Sequence, residues 1–139
     1  MKKLLTLTVL LITMMMINVD VSAQKVYDFV AVEKTPEYPG GMKKFYEYLG
    51  KNLKYPPVAK ANKTSGRVFL TFIVEESGKL SDIKVIRGLS KETDAEAVRV
   101  LKESPKWNPG IIKRQPVRVR YNITVNFSDN PANAPRKAR

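Results

Sequence analysis

The stretch Val117-Arg118-Val119-Arg120-Tyr121-Asn122-Ile123-Thr124-Val125-Asn126-Phe127 is the part of the chain whose residue types and spacing carry the most chemistry. Odd positions are apolar or aromatic and even positions are arginine, asparagine or threonine. A β-strand with one dry and one wet face requires this period of two. The chemistry on offer is non-covalent. Main-chain N–H and C=O groups run along any side left unpaired, and the wet face adds guanidinium forks and neutral hydrogen-bonding side chains with no acid opposing them. At the edge of a sheet, such a strand could accept a strand from another chain.

Covalent and metal chemistry find little support. The chain has no histidine and no cysteine, which removes the usual general base, the usual metal ligands, every Ser-His or Cys-His pair and any disulfide. An all-carboxylate or lysine site remains open on composition, but no acid pair stands at a recognisable spacing and no cofactor motif occurs. The expected reading is a binding protein, not an enzyme, with no cofactor and no metal.

At 139 residues the chain has room for one domain and short appendages. Met1-Lys2-Lys3, an apolar run from Leu4 to Val19, and small residues around Val21-Ser22-Ala23 read as a secretory signal peptide cut after Ala23. The alternative is an uncleaved membrane anchor. The run is shorter than the roughly 20 apolar residues a span needs, and it contains Thr6, Thr8 and Thr13 and ends near Asn18 and Asp20, so cleavage is favoured. The formal net charge of +12 would suit nucleic acid, but export argues against that partner. Acidic polysaccharide, anionic surfaces and acidic protein segments remain, beside the plain reading of lysines on solvated faces.

Residues 24–37 read as a tether or an extra strand, 38–128 as the folded domain, and 129–139 as a disordered basic tail. After the turn Tyr38-Pro39-Gly40-Gly41, the spacing of Met42, Phe45, Leu49 and Leu53 predicts an amphipathic helix. Its aromatic residues Phe45, Tyr46 and Tyr48 read as packing. Tyr55-Pro56-Pro57 ends that helix and starts a short one through Ala61. Gly66–Arg87 reads as a hairpin whose first strand, 68–74, is apolar on both faces and therefore central. The second helix is expected to carry a capping box at Thr93 and Glu96 and to stop at Pro105. Trp107 reads as a plug over the end of the sheet.

These elements imply an α+β, two-layer domain: a three-stranded mixed sheet of order 2-1-3 with two main helices on one face. Strand 80–86 and strand 117–127 are then the two edges, either of which could also pair with a second copy. Phe69 and Ile73 point away from the helices and need cover from segment 26–32, from a partner or from long side chains.

With these landmarks placed, the chain from about Pro36 to Phe127 resembles the C-terminal domain of TonB-type energy transducers. The residues that carry the resemblance are Pro39-Gly40-Gly41, Asn52-Leu53-Lys54-Tyr55-Pro56 with Ala59, Gly66, Val68, Gly78, Asp94, Ala97, Pro105-Lys106-Trp107-Asn108-Pro109-Gly110, Pro116-Val117 and Phe127. The Pro-Gly-Gly and Trp-x-Pro-Gly versions are similar to those of Bacteroidetes-type members. The resemblance implies a periplasmic domain that engages the plug or N-terminal segment of outer-membrane receptors. A receptor segment would add along the last strand by β-augmentation, with the Tyr-Pro region against the receptor. The partner-binding candidates are then Asn52, Tyr55 and Pro56 with Arg118, Arg120, Asn122 and Thr124. Two departures stand out. The sequence has no histidine, its N-terminal apolar run is short and no Pro-rich spacer follows it; residues 24–41 stretch over only about 60 Å. Lys113-Arg114-Gln115 also stands where the family commonly has a glycine. The readings that follow are a periplasmic binding module, a membrane-anchored energy transducer, and a basic binder of acidic polymer. Against all three stands a purely structural role, with Tyr55-Pro56 ending a helix and the arginines guarding an edge.

Overall fold

The computed structural model describes residues 25–128. Its elements in chain order are β1 (Val26–Asp28), a 3-10 turn (Phe29–Ala31), α1 (Met42–Asn52), α2 (Pro57–Ala61), β2 (Gly66–Val74), β3 (Leu80–Arg87), α3 (Lys91–Lys102), β4 (Gly110–Ile112) and β5 (Gln115–Phe127). Residues 1–23 and 129–139, read above as signal and tail, lie outside the described residues.

The apolar strand is central, as its burial on both faces requires. β2 pairs antiparallel with β3 and, along its whole length, with β5, in a register that sets Val68 opposite Val125 and Leu70 opposite Ile123. On the face towards the helices, Val68, Leu70, Phe72 and Val74 meet Phe45 and Leu49 of α1 and Ala97, Val100 and Leu101 of α3 in one core. The other face carries Phe69, Thr71 and Ile73. Ile73 is only 4% exposed, with Arg120 and Ser81 as its cross-strand neighbours. Arg87 lies over the Phe69 ring, 5.9 Å from its centroid. Long side chains therefore supply part of the cover that this face needed.

The expected three-stranded sheet of order 2-1-3 is corrected to a five-stranded one. β3, β2 and β5 form the expected centre, but the order is β1-β5-β2-β3, and β4 pairs separately with β5. β1 runs parallel to β5, and β4 runs antiparallel to it through Gly110–Val117 and Ile112–Gln115. Three-residue strands are too short to show a period, so sequence alternation does not reveal them. The edge assignment changes with them, because β5 is an outer strand over only part of its length.

The second helix also starts differently. Ser90, not Thr93, is its N-cap: the Ser90 hydroxyl accepts from the Thr93 N–H at 3.2 Å, and the Thr93 hydroxyl accepts from the Ser90 N–H at 3.0 Å. The capping box is thus Ser90–Thr93, which frees Glu96 for the tertiary contact described below. Trp107 takes the expected place: it is buried, with its indole N–H donating to Ser104 Oγ at 3.1 Å.

A two-residue turn joins β4 to β5, and both of its central residues, Lys113 (φ 49°) and Arg114 (φ 64°), lie in the left-handed region. Tight hairpins need this geometry, and asparagine or glycine tolerates it far better than long side chains do. Replacing Lys113 by Asn and Arg114 by Gly together should stabilise the fold by about 1 kcal/mol. A urea midpoint that does not rise would show that the turn carries no such cost.

Candidate functional site

β5 is covered in segments. Gln115–Val117 pairs with β4, and Arg118–Arg120 pairs with β1 on the side opposite β2. The Phe29 ring stands edge-on to Tyr121, with centroids 5.1 Å apart. From Asn122 to Phe127, no strand lies on that side among the described residues. Alternate main-chain N–H and C=O groups of this half therefore face outward without a strand partner, and such groups are a template for another chain. The wet face of the same half holds Asn122 and Thr124, opposite Thr71 and Phe69. Asn122 is exposed and Thr124 half-buried.

Tyr55 reaches the far end of this open half. Its ring stands edge-on to Phe127 at 6.0 Å, and its hydroxyl donates to the Thr64 carbonyl. Pro56 is the N-cap of α2 and half-buried. The peptide leading into Tyr55 is clamped by α3. The Lys54 N–H donates to Glu96 Oε1 at 2.7 Å, and Arg99 Nη2 donates to the Asn52 carbonyl at 2.8 Å. Arg99 Nε in turn donates to Glu96 Oε2 at 2.8 Å, so a single ion pair holds both ends of the Asn52–Lys54 segment. Asn52 itself is exposed and donates its amide to the Tyr48 carbonyl at 2.8 Å, so its hydrogen bonds tie it to α1 and α3 and not to β5.

The arginines lie at the other end. Arg118 forks onto Glu75, with Nε to Oε2 at 2.7 Å and Nη2 to Oε1 at 3.1 Å. Glu75 also accepts from the Ser81 hydroxyl. Arg120 is exposed, opposite Ile73 on β2 and Asp28 on β1. The candidates thus fall into groups. Tyr55 and Pro56 adjoin the Phe127 end of the open half, Asn122 and Thr124 lie within it, Arg118 and Arg120 stand where β1 covers the strand, and Asn52 stands apart. Glu96, Arg99 and Glu75 are the positioning residues that sequence reasoning missed. Glu96 and Arg99 are an i,i+3 pair on a helix, a signal present in the sequence but absorbed by the expected cap.

Electrostatics follow the same contacts. The Arg99 hydrogen bond holds the Glu96 carboxyl below the usual carboxylate range, and the Arg118 fork does the same to Glu75. Burial pushes the Tyr121 phenol up, keeping it a neutral donor towards Met42 Sδ at 3.6 Å. Among the described residues, no group of three or more acids could hold a metal ion.

The family model for the Gram-negative bacterial TonB protein C-terminal matches residues 51–128, more than half of the chain. The chain belongs to this family. Domains of the TonB C-terminal family are periplasmic interaction modules that generally serve energy transduction to outer-membrane receptors. The match begins at Lys51, so β1 and nearly all of α1 precede it. Among solved structures, the chain is similar to the solution structure of the Helicobacter pylori TonB C-terminal domain, at 21% identity and a TM-score of 0.49, covering 63% of this chain and 91% of that one. It is also similar to the Pseudomonas aeruginosa TonB C-terminal domain, at 22% identity and a TM-score of 0.44, covering 62% and 81%. No curated protein matches. No helix among the described residues is long and apolar enough to cross a membrane.

The two clamped carboxylates make stability depend on acid. A carboxyl held low in the fold stabilises it fully above its unfolded value of about 4.3, and that contribution is lost as pH falls through the folded value. Replacing Glu96 by Gln should cost on the order of 1 kcal/mol at pH 7 and flatten the loss of stability between about pH 5 and pH 3. Urea midpoints across that range test this. An unchanged slope would mean that Glu96 titrates alike in the folded and unfolded chain.

Proposed function

We propose that this chain is a periplasmic protein-binding module that engages an outer-membrane receptor segment by strand addition along Asn122–Phe127 of β5. The half-open strand supports the reading: six residues of unpaired edge on a strand in regular register with β2, in a sheet whose far edge, β3, is irregular and whose near edge, β1, is only three residues long. Main-chain hydrogen bonds would supply affinity, and alternating side chains would set register. Asn122 and Thr124 then meet every second side chain of the incoming segment, while Tyr55 and Pro56 border it at the Phe127 end. Arg118 serves the fold through Glu75, and Arg120 stands at the near border. The Glu96–Arg99 clamp acts by positioning Tyr55. Residues 1–23 are read as the export signal that delivers the module to the periplasm, where acidic or neutral receptor segments meet a basic domain.

The test is a backbone NMR titration of the ¹⁵N-labelled chain with synthetic peptides from the N-terminal segments of outer-membrane receptors. Shifts confined to Asn122–Phe127 and the surroundings of Tyr55, persisting in moderate salt, are the expected result. Shifts spread over the lysines of α1 and abolished by modest salt would instead indicate a general binder of acidic polymers, and would overturn strand addition.

A further inference from the structure

β1 ends where the open half of β5 begins. Val26, Tyr27 and Asp28 pair with Arg118, Val119 and Arg120, after which the chain leaves the sheet through the 3-10 turn Phe29–Ala31. A strand added along Asn122–Phe127 would lie at the same distance from β5 as β1 does, about 4.8 Å. It would therefore be collinear with β1, and its end residue would abut the 3-10 turn. Apolar side chains stand uncovered at that junction: Val30 is 91% exposed and Phe29 41% exposed. No residue of the turn is buried, so the core does not account for them. Asp28, Phe29, Val30, Arg120, Tyr121 and Asn122 line a cleft of about 370 Å³ there, drawn from both sides of the junction between covered and open edge. The cleft depends on the segment before Lys51, which the family match does not reach.

Resting on the strand-addition reading, we propose that this cleft is an end pocket for a large apolar side chain at one terminus of the added segment. The partner is accordingly an extended segment of about six paired residues, roughly 20 Å long, with an apolar anchor at the end nearest β1. β1 acts as a fixed stop that sets the register: the segment cannot slide past Asn122 without meeting Phe29. The edge supplies main-chain affinity that any extended chain could use, and the pocket adds discrimination between segments.

Terminally blocked peptides of alternating threonine and valine, six residues long, test this with a tryptophan or a serine added at either end. They are titrated against the ¹⁵N-labelled full chain. One of the tryptophan peptides, and only one, is expected to bind at least fivefold more tightly than its serine counterpart, with ring-current shifts at Phe29, Val30 and Tyr121. The gain should fall below twofold in Val30→Ser, where the altered side chain is almost wholly in solvent and the fold is preserved, and likewise in Phe29→Ala. Equal affinities for all the peptides, or a gain that survives both substitutions, would overturn the end pocket and leave strand addition standing. If no peptide shifts Asn122–Phe127, strand addition is overturned and the pocket with it.

Discussion

The Trp107 indole meets rings from four separate segments: Tyr38 before α1, Phe45 in α1, Phe72 in β2 and Tyr121 in β5, with centroids between 5.2 and 5.8 Å. Each such aromatic pair adds roughly 0.5–1.5 kcal/mol beyond the area it buries, so this one side chain couples helix, central strand and outer strand. Its backbone is held as firmly. The Trp107 N–H donates to the Gly78 carbonyl at 2.8 Å, and a Cβ on Gly78 would lie 2.0 Å from the Trp107 carbonyl oxygen. The β2–β3 turn and the loop after α3 therefore touch main chain to main chain. That contact fixes where β4 begins, and so where the covered part of β5 lies.

The two sides of the sheet are finished in different ways. β3 has register shifts against β2 and a left-handed residue, Asp82 at φ 47°, and it exposes Lys84 and Arg87. Bulges and charges of this kind disfavour pairing with another strand. β5 instead keeps a regular nine-pair register with β2 and has its first half covered by β1 and β4. A regular strand with half of one side uncovered is a directional socket. A sheet with both edges open would pair indiscriminately.

Acids are scarce in this chain, 13 against 25 bases, and two of them do structural work at opposite ends of the site. Glu96 with Arg99 holds the peptide before Tyr55 against α3, and Glu75 with Arg118 joins the end of β2 to β5. Both carboxylates lie partly shielded from water, where a charged hydrogen bond is stronger than on an open surface. The remaining positive charge spreads over exposed lysines and gives the module an overall attraction to acidic segments without specifying one.

Much of the domain could be read from local pattern. Period two along Val117–Phe127, the apolar run of β2, the Tyr55-Pro56-Pro57 break and the Trp107 plug are each set by neighbours within a few residues, where pleat, helix period and proline geometry act. The resemblance to the TonB C-terminal domain rests on the same local landmarks. Tertiary structure alone decided which part of β5 is open, because that depends on β1 and β4. These are three-residue strands whose pairing comes from distant chain and leaves no period in the sequence. It likewise decided the cap, placing it at Ser90–Thr93 where the sequence signature pointed to Thr93–Glu96. Glu96 was claimed by Lys54 from across the fold and by Arg99 one turn along its own helix, and a carboxylate bound there cannot also reach back to cap that helix.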